Sequence, residues 1–477
     1  MNRSIIIVGG GISGLGAAHR LLELKRERNL SFDILLLEAG RRLGGSISTE
    51  RVGEFLIESG PDSFISEKPW ALRLCERLGI TSRLISTNPT NQSIYVVHRG
   101  SLQPLPEGFF LLAPTRFWPF IRTPLFSWKG KLRIAGELLL PRGDIDSDES
   151  LASFVRRRFG LEVLQRVAQP LIGGIYGADP EQLSLSAAMP RFPEMERAGR
   201  SIIWAMWTQQ RRRPLEREAG SGARWSLFVT LLGGMQELVD AIADRLPEGA
   251  VHLETKVTGL EWNREKKLWA VKTDSAEQFL ADGIILAGAA YSSAAILSPL
   301  APGLAQELQA IPYSSAATVS LAYSQSDLPR GLNGFGFIVP AVESRKIIAC
   351  TFSSIKYPGR APAGYVLLRA FVGGALQPAL LEQDDRAMEG SVRRELADLL
   401  GIRSDPLFCR VHRHPHAMPQ YHVGHLERIR RIEAYLGEYP TLALAGNAYH
   451  GVGIADCIHS GEAAAERVLD QMIGSSF

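Results

Sequence analysis

The sequence predicts a mixed α/β and α+β fold in which one nucleotide-binding domain is assembled from segments far apart in the chain. Three observations predict it. An apolar run, Ser4-Ile5-Ile6-Ile7-Val8, opens directly into a glycine cluster near the start. Strand and helix patterning of the same kind returns in the middle, within residues 226–298. It returns again at the end, where Leu442-Ala443-Leu444-Ala445 runs into a glycine loop and an apolar-faced helix. No internal repeat is visible, and one domain built from three parts accounts for the pattern better than three independent domains.

At 477 residues, 45% hydrophobic and 22% charged, the chain is long enough to bury several domain-sized cores. A net charge of +3 is close to balance and gives no case for nucleic acid as a partner. Cys75, Cys350, Cys409 and Cys457 are scattered, with no C-x-x-C spacing. That argues against a disulfide framework or a metal site and for a reducing compartment. The first core strand begins within a few residues of the start, which leaves no room for a signal peptide. No apolar run reaches the ~18 residues that span a bilayer. A cytoplasmic protein, free or held at a membrane surface, is expected.

Taken in order, the first element is a strand followed by Gly9-Gly10-Gly11-Ile12-Ser13-Gly14, a G-x-G-x-x-G that opens a helix. Gly9 permits the tight turn, Gly11 lets a pyrophosphate approach the backbone, and Gly14 lets the helix pack on the sheet. The helix, with Leu15, Ala18 and Leu22 on one face, offers N–H groups and a positive dipole end to phosphates. The next strand, 32–37, ends on Glu38, placed to accept hydrogen bonds from ribose hydroxyls. This is a Rossmann-type βαβ unit. It continues as Glu38-Ala39-Gly40-Arg41-Arg42-Leu43-Gly44-Gly45. An extended dinucleotide needs contacts beyond the second strand. Gly44 and Gly45 allow close approach and Arg42 brings a cation near the phosphates, which favours FAD over NAD. Gly60-Pro61-Asp62-Ser63 is a further tight segment that could pass close to a flavin.

The stretch 93–215 is rich in Leu, Arg, Pro and aromatics and reads as helical, as in Leu132, Ile134, Leu138 and Leu139. Residues 210–224 are charged and glycine-bearing and read as a mobile loop. Gly233-Gly234 opens an amphipathic helix with Met235, Leu238, Val239, Ile242 and Leu246 on one face. Strands follow at 252–257, 268–273 and 283–286, and then near 318–323, 335–339, 347–352 and 365–372. Backbone groups of the stretch ending at Val257 could read adenine. The last glycine loop, Gly451-Val452-Gly453-Ile454, precedes the final helix, whose N-terminus could stabilise negative charge on a reduced flavin. His450 reads as a loop residue, and Cys457 as a small buried filler.

Read together, these motifs resemble the flavin-containing amine oxidase superfamily, and within it the oxygen-dependent porphyrinogen oxidases. The resemblance is carried by Glu58-Ser59-Gly60-Pro61-Asp62-Ser63-Phe64, Gly173-Gly174-Ile175-Tyr176-Gly177, Gly334-Phe335-Gly336-Phe337-Ile338-Val339-Pro340, Pro419-Gln420-Tyr421-His422-Val423-Gly424-His425, and Gly451-Val452-Gly453 with Asp456-Cys457-Ile458. These span nearly the whole chain. The resemblance implies FAD-dependent oxidation of protoporphyrinogen IX to protoporphyrin IX, with dioxygen as acceptor and hydrogen peroxide as product. Coproporphyrinogen III is the alternative substrate. Another flavin amine oxidase or desaturase is the less favoured enzyme reading, and a flavin-less binding protein on the same fold ranks lower still, because Gly9, Gly11, Gly14, Glu38, Gly44 and Gly45 are all present. The first step is expected to be hydride transfer to the flavin, with no side-chain base assigned.

The resemblance further implies that Phe335 and Ile338 sandwich the macrocycle and that Gly174 and Phe371 line the pocket. It implies three regions: an FAD-binding domain from 1–92, 226–298 and 425–477, a helical membrane-associating region at 93–225, and a mixed-sheet substrate domain at 299–424. Ferrochelatase or a second copy of the chain are the protein partners it suggests. One departure stands out. Many relatives carry an arginine just before the Tyr-Val strand, where it can pair with a substrate propionate; here Ser93 or Ile94 holds that place, and Arg99 and Lys68 are the nearest candidates.

Residues 109–128 hold Phe109, Phe110, Phe117, Trp118, Phe120, Phe126 and Trp128. From 109 to 136 there is no acid, while Arg116, Arg122, Lys129, Lys131 and Arg133 are basic. Aromatics with only basic charge suit an anionic bilayer surface, so peripheral association with the cytoplasmic membrane is expected.

Overall fold

The computed structural model describes residues 3–90, 92–106, 109–110, 113–114, 117–143, 147–208, 226–329 and 331–474. At its centre lies a five-stranded parallel sheet in the order Val251–His252, Phe32–Leu37, Arg3–Val8, Gly283–Leu286, Leu442–Leu444. Strands of such a sheet are covered on both faces, which is why they are written as unbroken apolar runs. Ile5 and Ile7 enter one core with the helices Ile12–Glu27 and Ile454–Gly474. Ile6 enters the opposite core with Leu286 and the helix Ala290–Leu297. The first and last helices touch closely: a side chain at Gly461 would overlap the carbonyl oxygen of Ser13. The two ends of the chain are thereby packed into one layer.

A second sheet has seven strands in the order Phe408–Pro419, Tyr313–Ser324, Tyr365–Gly373, Ala349–Phe352, Gly336–Ile338, Ile94–His98, Ser101–Pro104. Its pairs are antiparallel except that of Gly336–Ile338 with Ile94–His98. Val319, Phe337 and Leu368 pack on the helix Asp385–Leu400. Ile338 and Ala349 pack in another core with the helices Leu151–Arg158 and Gln169–Tyr176.

Two sequence expectations change. The strand expected at 252–257 is two: Val251–His252 ends the parallel sheet, and Val257–Asn263 opens an antiparallel one with Leu268–Thr273 and Gln278–Ala281. Between them Glu254 takes a φ of 52°, and the N–H groups of Glu254 and Thr255 donate to the carbonyls of Gly40 and Glu38 at 3.0 and 2.8 Å. The stretch 93–225, expected to be helical, opens with Ile94–His98 and Ser101–Pro104, which extend the large sheet. Helices follow at Phe117–Arg122, Trp128–Ala135, Leu151–Arg158, Gln169–Tyr176 and Arg191–Ala198. The loop expected at 210–224 lies outside the described residues.

The aromatic segment divides. Phe120 and Phe126 are core residues, while Trp118 and Trp128 are 67% and 68% exposed, beside Leu132 at 72% and Leu139 at 76%. Side chains of Phe109, Phe110 and Phe117, and all of Arg116, lie outside the described residues. Its basic rim is smaller than expected. Lys131 donates to the carbonyl of Ile121 at 2.5 Å and lies over the Trp128 ring, and Arg133 donates to the carbonyls of Arg157 and Arg158. These cations close helix ends, whose last carbonyls have no partner within the helix. Arg122 and Lys129 remain exposed. Among the described residues, no helix is long and apolar enough to cross a membrane.

Candidate functional site

The carboxyl ends of the parallel strands converge on the glycine cluster. Gly9 turns the chain at a φ of 110°. A side chain at Gly14 would overlap the carbonyl oxygen of Gly9, so only glycine lets the helix start this close to the strand. By contrast, a Cβ on Gly11 would meet no atom within 4 Å, so that side of the loop is open to a phosphate. Ile12 and Ser13 form the buried first turn of the helix. The carboxylate of Glu38 accepts from Gly10 N–H and Gly40 N–H, each at 2.6 Å. Each oxygen keeps a further lone pair for an outside donor. Ala39 is exposed beside it.

The second glycine loop closes on the first. Gly44 N–H donates to Gly10 carbonyl at 2.8 Å, and Gly11 and Gly44 form a parallel bridge, with Gly45 against Gly11. Arg42 donates to the carbonyls of Leu43, Gly45 and Ile47 at 3.0, 2.5 and 2.8 Å. Its first task is thus to hold its own loop, with its charge kept at that loop. Val257 is buried just past the Glu254–Thr255 tie to Glu38 and Gly40. A pyrophosphate and ribose therefore fit a cradle of open backbone, a helix N-terminus and an acceptor carboxylate.

The segment 58–63 forms the next part. Glu58 is buried, accepts from Thr49 Oγ1 and Met235 N–H at 2.8 Å each, and has its carboxyl pushed up by burial. Gly60 presses on the second glycine loop, where a Cβ would overlap the carbonyl of Ser46. Asp62 accepts from Ser63 Oγ at 2.7 Å and pairs with Lys356 at 3.0 Å. Burial alone would raise its carboxyl, but Lys356 and Arg369 outweigh burial and hold it well below the usual range. Pro61 lies between these contacts.

The final loop reaches the same place. Gly451, Val452 and Gly453 lead into Ile454, the first residue of the last helix. Asp456 folds back over Gly451 and Gly453 and pairs with Lys68 Nζ at 2.6 and 2.7 Å. Tyr421 donates to the carbonyl of Asn447 at 2.5 Å. His450 is exposed near Glu433, as a loop residue would be, and Cys457 is buried.

Beside this loop stands an apolar wall. Val96, Ile338, Ala349 and Phe371 lie directly opposite one another across four adjacent strands, hence on one face. Gly174 faces them: a Cβ there would be 4.0 Å from Ile338 and 3.9 Å from Ala349. Phe371 and Val452 pack against the same core. Gly174, Ile338 and Phe371 are thus brought together. Phe335 sits at the strand entrance between two positive-φ glycines, half-buried, its N–H bonded to Ser93 carbonyl at 2.8 Å. Ser93 is exposed and Ile94 half-buried. Arg99 is exposed in the hairpin turn at the opposite end of that strand, and Lys68 is engaged by Asp456.

Sequence reasoning missed Arg369, Lys356, Thr318 and His414, all of which converge on residues 58–62. The signal was present for Arg369. It is the one charge in the strand Tyr365–Gly373, otherwise apolar or aromatic.

Comparison with known proteins agrees with this geometry. Residues 12–469 match the family described as flavin containing amine oxidoreductase. The chain is similar to coproporphyrinogen III oxidase of Bacillus subtilis (strain 168), 36% identical over 473 residues, covering 98% of each. It is also similar to protoporphyrinogen oxidase of Homo sapiens, 32% identical over 495 residues, covering 98% of this chain and 99% of the other. A crystal structure from Exiguobacterium sp. 255-15, provisionally named a protoporphyrinogen oxidase, superposes with a TM-score of 0.84 at 30% identity, covering 98% of each chain. With family agreement along nearly its whole length, the chain belongs to the flavin containing amine oxidoreductases and is an FAD-dependent oxidoreductase.

Proposed function

We propose that this protein oxidises a porphyrinogen to the corresponding porphyrin, with dioxygen as terminal acceptor and hydrogen peroxide as product. Protoporphyrinogen IX is the main reading of the substrate and coproporphyrinogen III the alternative; relatives carry both names. The observation that carries the proposal is the apolar wall of Gly174, Ile338, Ala349 and Phe371, which lies in the same core that Val452 of the last glycine loop packs against. A large flat macrocycle needs such a wall, and a position without a side chain lets it lie close. FAD supplies the redox chemistry when bound, accepting the electrons the substrate loses.

In this reading Gly9, Gly10, Gly11, Ile12, Ser13, Gly14, Glu38, Ala39, Arg42, Gly44, Gly45 and Val257 hold the ADP half. Gly60, Pro61, Asp62, Ser63, Gly451, Val452, Gly453 and Ile454 border the flavin. The chain's own part is to bind, orient and exclude water, which suits a wall of apolar side chains. Residues 1–92, 226–298 and 425–477 form the cofactor domain, 299–424 the substrate domain, and 93–225 docks on the cytoplasmic face of a membrane through its exposed tryptophans and leucines.

The test is anaerobic mixing of the yellow holoprotein with porphyrinogens and, separately, with amines. Bleaching of the flavin by a porphyrinogen and not by amines is the expected result. No bleaching by any porphyrinogen defeats the proposal. Relative bleaching rates with the proto and copro substrates then decide between the two.

A further inference from the structure

Arg369 is 5% exposed, its Nε is buried without a hydrogen-bond partner, and the carboxylates of Asp62 and Glu58 offset its charge in the core. Its guanidinium donates to the carbonyls of Ser59, at 3.3 Å, and Gly60. Its central carbon lies 4.9 Å from the centroid of the Phe371 ring. Arg369 and Phe371 are two residues apart in one strand, so both point to the same face. Thr318 Oγ1 and His414 Nε2 bond to the same Ser59 carbonyl at 2.9 and 2.8 Å. One side chain therefore bonds the segment that borders the flavin and stacks on the wall that borders the substrate. A buried charge of this kind is a poor device for stability alone, since apolar replacements of similar volume are often neutral or better.

We infer that Arg369 is a positioning residue that locks residues 59–62 and the Phe371 ring into one relative geometry, so that cofactor segment and substrate wall move as a unit. The inference rests on the porphyrinogen reading for what the wall binds, but its linkage of wall to cofactor can be read without any substrate.

The test uses FAD-loaded Arg369→Lys, Arg369→Gln, Phe371→Leu and the double variant Arg369→Lys with Phe371→Leu. Arg369→Lys keeps the charge and loses the planar guanidinium that lies over the Phe371 ring while its Nη2 holds both carbonyls. It is expected to retain FAD, shift the flavin absorption bands and raise KM for the porphyrinogen about tenfold. Phe371→Leu does the same, and the double variant is no worse than the worse single one, because both break one link. A native flavin spectrum and native KM in Arg369→Lys, with only a lowered melting temperature, overturns the inference, as does strict additivity. Where Arg369→Gln or Arg369→Lys does not fold, Phe371→Leu still decides: an unchanged flavin spectrum in that variant overturns the link. If wild-type flavin is not bleached by any porphyrinogen, the functional reading fails, while the spectra still judge the link.

Discussion

At the scale of single residues, absence of a side chain and burial of a titratable group set the behaviour of the protein. Gly174 illustrates the first. A Cβ there reaches ordinary contact distance from Ile338 and Ala349, so Gly174→Ala is expected to leave KM within about twofold. Gly174→Leu projects further atoms across the wall, and is expected to raise KM at least tenfold with flavin content unchanged, as read by absorbance per chain and steady-state kinetics. His425 illustrates the second. It is fully buried, stacked on Tyr421 at 4.1 Å, and its Nε2 meets the carbonyl of Tyr449 at 3.1 Å. Burial lowers its pKa to about 4, with the charges of Arg428 and His450 acting the same way. A base whose folded pKa is depressed loses stability as pH falls, because the unfolded chain takes up the proton first. The loss begins near the unfolded value of ~6.5 and is complete near 4, amounting to about 3 kcal/mol. His19, lowered to about 4 by burial and by Arg77 and Arg245, adds to the same window. His425→Phe is therefore expected to flatten the fall in melting temperature between pH 6.5 and 4 without abolishing it. A slope identical to wild type contradicts this.

At the scale of elements, the seam between the first and last helices joins the two ends of the chain to one cofactor site. Gly461 sits where a side chain would overlap the carbonyl of Ser13, which lies within the glycine cluster in the first turn of the helix. Gly461→Leu is expected to lower stability by about 1–3 kcal/mol and to weaken FAD binding more than Gly174→Leu does, since it moves the helix that presents the phosphate site. Denaturant melts of the FAD-free protein and flavin titration separate the two effects. Much at this scale was legible in the sequence. The parallel strands are apolar runs, and local pattern shows them: Phe32–Leu37 and Gly283–Leu286 are read to the residue. Phe408–Pro419 escaped because it carries Arg410, His412, Arg413, His414 and His416 on an edge strand, where one row of backbone groups and much of the side-chain surface can stay polar. The break at Glu254 escaped because it is made by long-range bonds to Glu38 and Gly40. Likewise, motif spacing places the glycine loops, but the convergence of Arg369, Lys356, Thr318 and His414 on residues 58–62 is a matter of sheet register.

At the scale of the whole molecule, the question is what the helical region does for a site it does not enclose alone. Among its described residues, the most exposed large apolar side chains are Trp118, Trp128, Leu132, Leu139 and Trp204. Trp128 and Leu132 are one turn apart and share a helix face. Arg200, near Trp204, bonds to the carbonyls of Leu139 and Leu140, which brings these segments to one side. Lys131 and Arg133 bond to internal carbonyls, so attraction to anionic lipid is weaker than the composition suggests, and the proposed docking rests on apolar insertion. Burying a large apolar side chain is worth about 1.5–3 kcal/mol. Trp128→Ser with Leu132→Ser is therefore expected to weaken vesicle binding at least tenfold while leaving kcat in detergent within twofold. Raising salt, which screens exposed charges over ~8 Å at physiological strength, should alter wild-type binding far less than the double substitution does. Co-sedimentation with neutral and anionic vesicles measures both. Binding lost on adding salt but kept in the double variant would place the contact on Arg122 and Lys129 instead, and leave the tryptophans as bystanders.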